Sequence, residues 1–579
     1  MTKDINKKRK QDLGIFYTPP EVVGFIFDIL NIWKSSQGQR WQQKFPSVID
    51  PACGEGIFLK KAVDSEFTSP RYIWGVDLDE KVKEEWEKIT LLKSFGSKAK
   101  LDFHFYHQDG LLPIPEKKVR HKKGGMNQYD AVVGNPPYGG IGINEITPEL
   151  EKALFNFQIW KQKFQKEQKQ SVENLGLFET TVPKVFQQKI VNFPIEILFI
   201  DRFIQLAKPG GWIAIIIPDG ILTNSNSHYV REFISQRTKV EAIVSLPRDT
   251  FKDVGTNAKT SILFLRKLKK DEKSENSYPV FLASINKVGK DQLNLIVKSY
   301  KKIYTSRSND MNNSNKIQIT SDQNKNETVM VRVDKTLKQL MEEKPASRWN
   351  ADYWHPKYDD LLAKISNNSL KMISDYKEVL TSGYRGTLVF TETGIPALKV
   401  RNVLDTGIDL VNIDYLPDNS PANTPSKKVK HGDLIINRSG TGSIGRMSIF
   451  LSSETNTIIT GDVYLLRLKN INPFYVNIYL KTYFGKTQIH RFESGVSGQT
   501  KIDLEEILYI FIPVLSDKVQ SSIEQLHRDL SADHETAMKA KKNGDEKTYK
   551  ENIKLAEHKL KDLIKNVEEV IEGKREDVN

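Results

Sequence analysis

Cysteine is almost missing from this chain. Cys53 is the only one among 579 residues, so no disulfide can form within the chain. Zinc or iron–sulfur sites built on cysteine clusters are excluded with it, and a lone thiol fits a reducing cytoplasm. Long apolar runs are missing too. None approaches the roughly 20 residues that cross a bilayer, and the basic stretch at residues 7–10 has no apolar core behind it of the kind a secretory signal carries. Acidic residues are outnumbered, 73 Asp and Glu against 86 Lys and Arg, for a formal net charge of +13. That surplus suits a polyanionic partner, although charge gains weight only beside a site that needs one. With 38% hydrophobic and 9% aromatic residues, the chain can fill more than one core, and about two to four domains are expected.

The chain is organised around Asn135-Pro136-Pro137-Tyr138. An apolar run, Tyr129–Gly134, precedes it and reads as a buried strand that delivers the tetrapeptide to its carboxyl end. Two consecutive prolines stiffen the turn and remove two backbone donors, leaving carbonyls free to accept. The Asn135 amide adds an acceptor and Tyr138 a flat ring. Such a set grips an exocyclic amino group through its hydrogens while a ring stacks beside it. Taken alone, the tetrapeptide is equally an ordinary strand-ending turn; the sequence upstream decides between the two.

Upstream, Tyr17-Thr18-Pro19-Pro20 leads into an apolar-periodic helix over residues 22–33. Val48-Ile49-Asp50-Pro51-Ala52-Cys53-Gly54-Glu55-Gly56 then reads as a strand and a glycine turn opening a helix. Gly54 and Gly56 let the backbone approach a ligand. Phe58 and Leu59 occupy the place of a third glycine, so a nucleoside without phosphates fits better than a dinucleotide. A second strand ends at Asp77, at the spacing where a carboxylate accepts ribose hydroxyls. A third acid, Asp109, closes the run 103–110. Four strands at βαβ spacing thus each end on a polar residue, and the fold class is α/β with a Rossmann-like sheet.

These residues resemble the S-adenosylmethionine-dependent DNA adenine-N6 methyltransferases of the gamma order. The resemblance covers residues 14 to about 267. It implies that Tyr17, Thr18, Asp50, Ala52 and Gly54, with Asn135 and Pro137, bind the cofactor S-adenosyl-L-methionine, Thr18, Asp50, Ala52 and Gly54 on its methionine and sugar side. Asp77 would take the ribose and Asp109 the adenine. Asn135, Pro136, Pro137, Tyr138 and Phe251 would be catalytic, with Phe251, from the loop 248–252, opposite Tyr138 across an extruded base. The competing assignment for Phe251 is plain core at a strand–loop junction. No metal is required. Cys53 reads as a small cofactor-side residue, not a covalent nucleophile.

A basic run at residues 117–123 reads as a surface loop with phosphate contact as the second choice. The polar insert 141–190 follows the catalytic turn. Residues 271–347, Asn-, Lys- and Ser-rich with a strand-like run at 278–284, read as a connecting segment. Arg348-Trp349 opens a second unit over 348–515. Its short glycine-punctuated motifs at 394–402, 432–445, 460–462, 494–499 and 512–514 resemble a target-recognition domain of type I specificity subunits. Arg385, Lys399, Arg401, Arg438 and Arg446 are candidates for DNA contact, none assigned to a base. The tail, 516–579, carries apolar residues at helical spacing, which fits two antiparallel helices or a coiled-coil dimer handle.

Together these resemblances imply a site-specific adenine methyltransferase acting on double-stranded DNA, the modification arm of a restriction-modification system. It would work in the cytoplasm without membrane attachment, as a monomer or as a homodimer through the C-terminal helices. With Tyr17 so near the start, no nuclease domain is expected ahead of it, and cleavage would belong to a separate cognate restriction endonuclease. Length and domain order are similar to the modification methylases of the ClaI and BseCI kind, which act on ATCGAT. Transfer to cytosine N4, RNA or protein glutamine, and a non-catalytic DNA specificity subunit, are the competing functions.

Overall fold

The computed structural model describes residues 17–36, 45–79, 82, 104–119, 122–138, 147–167, 193–254, 258–306, 318–322, 327–440, 442–453, 456–494 and 500–579. Two compact units divide the chain, residues 1–354 and 355–579.

In chain order the strands of the first unit are β1 (Val48–Asp50), β2 (Ile73–Asp77), β3 (His104–His107), β4 (Lys117–Val119), β5 (Lys122–Gly124) and β6 (Tyr129–Gly134). They continue with β7 (Ala207–Pro218), β8 (Thr238–Ser245), β9 (Thr260–Lys267), β10 (Phe281–Ile285), β11 (Gln318–Asp322) and β12 (Glu327–Arg332). Ten of them form one sheet in the order β11-β12-β10-β8-β9-β7-β6-β1-β2-β3. From β3 through β7 neighbours run parallel. β9 is inserted antiparallel between β7 and β8, β10 returns parallel to β8, and β12 and β11 finish as an antiparallel pair. The direction of strand order reverses at β1, whose neighbours are β2 on one side and β6 on the other. Such a switch point opens a crevice outside the carboxyl ends of the strands, where doubly wound sheets hold ligands.

Parallel strands covered on both faces read as unbroken apolar runs, and every residue of β6 is buried. The helix Pro20–Ser36 lies against the sheet through a stripe that includes Val22, Ile26, Leu30 and Trp33. Trp33 meets Phe264 edge-on at 6.1 Å and Trp212 at 6.0 Å, and its Nε1 donates to the Tyr300 hydroxyl at 2.6 Å.

Tyr300 belongs to the stretch expected to be a connector, and here the structure corrects the sequence reading. Residues 271–347 supply β10 and β12 to the sheet and the helix Lys290–Ser306 to its cover. That helix buries Leu293, Ile296 and Tyr300 along one face, so its remaining polar residues dominate the composition. A second correction concerns the seam. Residues 348–354 belong to the first unit: Trp349 N–H donates to the Leu222 carbonyl at 3.0 Å, Ala351 N–H to Ser245 Oγ at 3.0 Å, and Asp352 pairs with Lys259. The basic stretch 117–123 is not a plain loop either; β4 and β5 pair in it as a hairpin.

Arg231 closes this corner. Fully buried, its guanidinium donates to the carbonyls of Ile221 at 2.6 Å, Asn224 at 3.0 Å and Ala346 at 2.5 Å. Removing a charged donor strands those carbonyls without water, so Arg231→Met is expected to cost on the order of 3 kcal/mol, read as a lower denaturant midpoint for the first unit.

In the second unit a four-stranded and a three-stranded sheet are followed by helices. The tail is an intrachain hairpin of helices Asp517–Lys542 and Glu546–Ile571, turned at Gly544 with φ +75°. Of the two arrangements its periodicity allowed, this is the antiparallel one. Buried His527 bonds Asn477 at 2.8 Å and Ser531 at 3.1 Å, and His534 bonds Thr406 at 2.9 Å, so the hairpin is fastened to its own unit. Burial pushes the His527 imidazole down to about 3, which keeps it neutral near pH 7.

Candidate active site

Four strand ends meet at the carboxyl edge of the first unit's sheet. Asp50 ends β1, Asp77 ends β2, Asp109 lies just past β3, and Asn135 follows β6. Hydrogen bonds and close approaches join them. Gly54 N–H donates to Asp77 Oδ2 at 2.8 Å, which ties the glycine turn to the end of β2. Asp77 Oδ1 accepts from Asp79 N–H at 2.9 Å, and Asp50 Oδ1 from Ala52 N–H at 3.0 Å. Asn135 Nδ2 donates to Thr18 Oγ1 at 3.1 Å, so the start of the helix Pro20–Ser36 sets which way the amide points. Tyr17 donates to Glu55 Oε1 at 2.5 Å, bringing the same segment to the glycine turn.

Two glycines that the sequence motifs leave out are required by this packing. A Cβ on Gly134 would stand 2.5 Å from Asp50 Oδ1, and one on Gly110 would stand 1.9 Å from the Pro51 carbonyl oxygen. Gly134 is visible in the sequence as the residue before Asn135. Gly110 carries no signal beyond its place after Asp109. Arg202 is equally hidden, because a charged residue on a helix reads as a solvent-facing one. It is buried, donates to the Leu111 carbonyl, and its charge favours the ionised form of Asp109.

The edge is rich in carboxylates, of which Asp50 is buried and Asp77 and Asp109 are half-buried. Burial pushes the Asp50 carboxyl up to about 8 against the pull of the Ala52 N–H, and nearby Asp77 adds to the push. Asp77 and Asp109 are raised as well, again chiefly by burial. No lysine or arginine stands in the turn 51–56, and the N–H groups of Ala52, Gly54 and Gly56, which could otherwise cradle a phosphate, are already given to Asp50, Asp77 and the Cys53 carbonyl. Gly54 has a φ of +48°, and a methyl group on its Cα would meet no atom within 4 Å, so the space above the turn is open.

The family model described as N-6 DNA Methylase matches residues 2–327, over half of the chain. The chain belongs to that family. Among curated relatives, this family member is 20% identical to the Type II methyltransferase M.HincII of Haemophilus influenzae over 241 residues, 42% of this chain and 34% of that protein. It is 24% identical to the Type I restriction enzyme EcoEI methylase subunit of Escherichia coli over 267 residues, 44% of this chain and 42% of that one. The chain therefore aligns with about a third of the length of the first of these relatives. Among solved structures, that of the type IIG restriction endonuclease BpuSI is similar at 16% identity and a TM-score of 0.44, covering 96% of this chain and 67% of that one.

Within this family member, the structure pairs Thr18 with Asn135, Ala52 with Asp50, Gly54 with Asp77 and Tyr17 with Glu55, all at the carboxyl edge of the sheet. Tyr138 is buried at 1% exposure. Phe251 sits at 1% exposure in the turn Arg248–Val254 and belongs to the apolar core cluster, which is where the competing assignment put it. In the second unit the five candidate cations are all held by acids. Lys399 and Arg401 share Asp414, Arg385 and Arg438 share Asp462, and Arg446 faces Asp405. Of the insert, residues 147–167 form two helices, the second seated by Asp201 accepting from Gln158 N–H at 2.6 Å and Ile159 N–H at 3.0 Å. Residues 7–10, 14–16, 141–146, 168–190 and 495–499 lie outside the described residues.

Proposed function

We propose that this chain is a site-specific DNA methyltransferase that transfers a methyl group from S-adenosylmethionine to the N6 amino group of an adenine flipped out of double-stranded DNA. The observation that carries the reading is the carboxyl edge itself, with Asn135 set by Thr18 beside the buried Asp50 and the half-buried Asp77. Its place is the modification arm of a restriction-modification system in the cytoplasm, with any cleavage left to a separate nuclease. Recognition of ATCGAT, and action as a monomer or a homodimer, are finer parts of the same proposal.

The donor set fits the cofactor. Carboxylates without a cation in the turn suit a positively charged nucleoside and repel a phosphate. Asp50, Ala52 and Gly54 would hold its methionine and sugar side, Asp77 its ribose and Asp109 its adenine. Bound there, S-adenosylmethionine supplies an electrophilic methyl group on a sulfonium. The chain's own residues do the rest. The Asn135 side-chain oxygen and the Pro136 carbonyl accept the two amino hydrogens of the target adenine, which turns a delocalised nitrogen lone pair toward a tetrahedral, nucleophilic one. These dipoles are set before the reaction, so little reorganisation is needed. Flipping the base costs a few kcal/mol, and stacking on the Tyr138 and Phe251 rings returns about 1–3 kcal/mol per base. Both rings stand at 1% exposure, so each reaches a base only if its cover opens; for Phe251 that is the turn Arg248–Val254, which its φ of −114° and ψ of 15° already interrupt.

The deciding experiment is transfer of radiolabelled methyl from S-adenosylmethionine to unmethylated genomic DNA, RNA and protein, with nucleoside analysis of the product. N6-methyladenine in DNA is expected. N4-methylcytosine, or label in RNA or protein alone, would overturn the adenine or the DNA part respectively, and cofactor binding without transfer would leave a specificity subunit.

A pH dependence follows from Asp50. Its folded carboxyl holds a proton up to about pH 8, and a cationic ligand favours the ionised form. Binding therefore expels a proton below pH 8, and affinity rises with pH by up to about tenfold per unit before levelling off. Calorimetric titration from about pH 6 to 9 should show this slope in the wild type and a flat profile in Asp50→Asn.

A further inference from the structure

Among the described residues, Val389 and Phe390 are the only large exposed apolar side chains adjacent in sequence, at 74% and 40% exposure. They ride on the loop 383–391 of the second unit, which has no regular secondary structure at its tip. The loop is pinned at both feet. Gly383 N–H donates to the Val463 carbonyl at 2.7 Å, Gly461 N–H to the Tyr384 carbonyl at 2.7 Å, and Thr391 N–H to the Tyr415 carbonyl at 2.9 Å. Tyr384 packs over Gly386, where a Cβ would come within 2.4 Å of its hydroxyl. An apolar tip held this way is kept from folding back into a core.

Its surroundings are cationic. A groove of about 500 Å³ beside the loop is lined by Tyr384, Arg385, Phe390, Lys399, Arg401 and Asp462. Lys399 Nζ stands 3.4 Å from the centre of the Phe390 ring. Lys399 and Arg401 each reach Asp414 at 2.5 Å, while Arg385 and Arg438 reach Asp462 at 3.4 and 3.0 Å. Four cations over two carboxylates leave a positive surplus, and the carboxylates hold the cations in fixed poses. A ligand that answers both features carries regularly spaced negative charge and flat faces that an aromatic ring can enter. Duplex DNA has both.

We propose that the loop 383–391 is an apolar wedge, with Phe390 backed by Val389 entering between neighbouring base pairs of the recognition sequence while Arg385, Lys399 and Arg401 take the flanking phosphates. Apolar wedges of this kind unstack a base step in exchange for a larger wrapped surface, and the cations contribute the salt-dependent part of binding. The inference rests on the DNA methyltransferase reading above and says how its substrate is gripped.

The test uses the full chain, unmethylated genomic DNA and labelled S-adenosylmethionine. Phe390→Ala is expected to lower kcat/KM for DNA at least tenfold, with cofactor affinity, thermal midpoint and the salt dependence of DNA binding unchanged. Phe390→Trp, which keeps a ring, should retain most of the activity. Arg401→Gln should instead flatten the slope of log K against log salt by about one. Wild-type DNA methylation with Phe390→Ala within twofold of it would overturn the wedge alone. A fall in thermal midpoint or cofactor affinity that accounts for the lost activity would overturn it too, by making the ring structural. Absence of DNA methylation by the wild type would remove the underlying reading and the wedge with it.

Discussion

Asn135→Ala should leave S-adenosylmethionine binding within about threefold of the wild type and lower methyl transfer by about a hundred- to a thousandfold, the range seen when one preorganised dipole is removed from a reacting centre. The separation of the two effects is what the geometry predicts. Binding draws chiefly on the turn that opens the helix Ile57–Asp64 and on Asp77, which stay joined through Gly54 N–H, so the loss of Asn135 and of its hold on Thr18, both counted among the cofactor contacts, is expected to cost only a few-fold. The amide's own contribution is directional. Its Nδ2 donates to Thr18 Oγ1 at 3.1 Å and the amide also bonds the Tyr138 side chain, which together fix the arm on which the oxygen would accept an amino hydrogen. Alanine removes that acceptor and leaves the prolines. Equilibrium binding and single-turnover transfer, measured on one preparation, would decide the matter; a collapse of binding with normal transfer from the bound fraction would assign Asn135 to the cofactor alone.

The second large effect is expected at a residue with no functional group. Gly110→Ala places a methyl 1.9 Å from the Pro51 carbonyl oxygen and crowds the Phe199 ring at 3.1 Å. A long side chain could swing clear of such a contact, but a backbone carbonyl cannot move without its turn. Either the Asp109 turn or the Asp50 turn must therefore shift. Overpacking of this kind typically costs about 1–3 kcal/mol, and here the strain falls on both sides of the proposed cofactor cradle. The expected result is cofactor binding weakened at least tenfold with a lower unfolding midpoint. Unchanged binding by calorimetry would mean that the two turns are not rigidly coupled.

How far the sequence could be read depended on where its information is local. The strand ends Asp50, Asp77 and Asn135 were legible because each follows an apolar run and sits in a turn with its own chemistry, and parallel strands declare themselves by unbroken burial. The contacts between those ends were not legible. Thr18 and Asn135 are 117 residues apart, and nothing in either neighbourhood names the other. Phe251 shows the ambiguity at its plainest, since an aromatic at a strand–loop junction has the same local pattern whether it stacks on a base or fills a core. The stretch 271–347 misled for a different reason. β10 is only five residues long, and the helix Lys290–Ser306 buries one face under a polar majority. The second unit's cations were found as charges, but the acids that hold them lie elsewhere in the sequence, as Asp462 does for Arg385.

The position of the seam after Trp354 has a consequence for how such chains can be recombined. If the second unit were exchanged for another to alter what the protein recognises, a joint at residue 348 would take away Ala351 N–H from Ser245 and Asp352 from Lys259. The recipient would be left with a half-buried Lys259 that has lost its ion-pair partner and keeps only the more general attraction of Asp219. A joint at residue 355 transfers the second unit whole and leaves that corner closed. Seven residues therefore separate a graft that spares the first unit from one that wounds it.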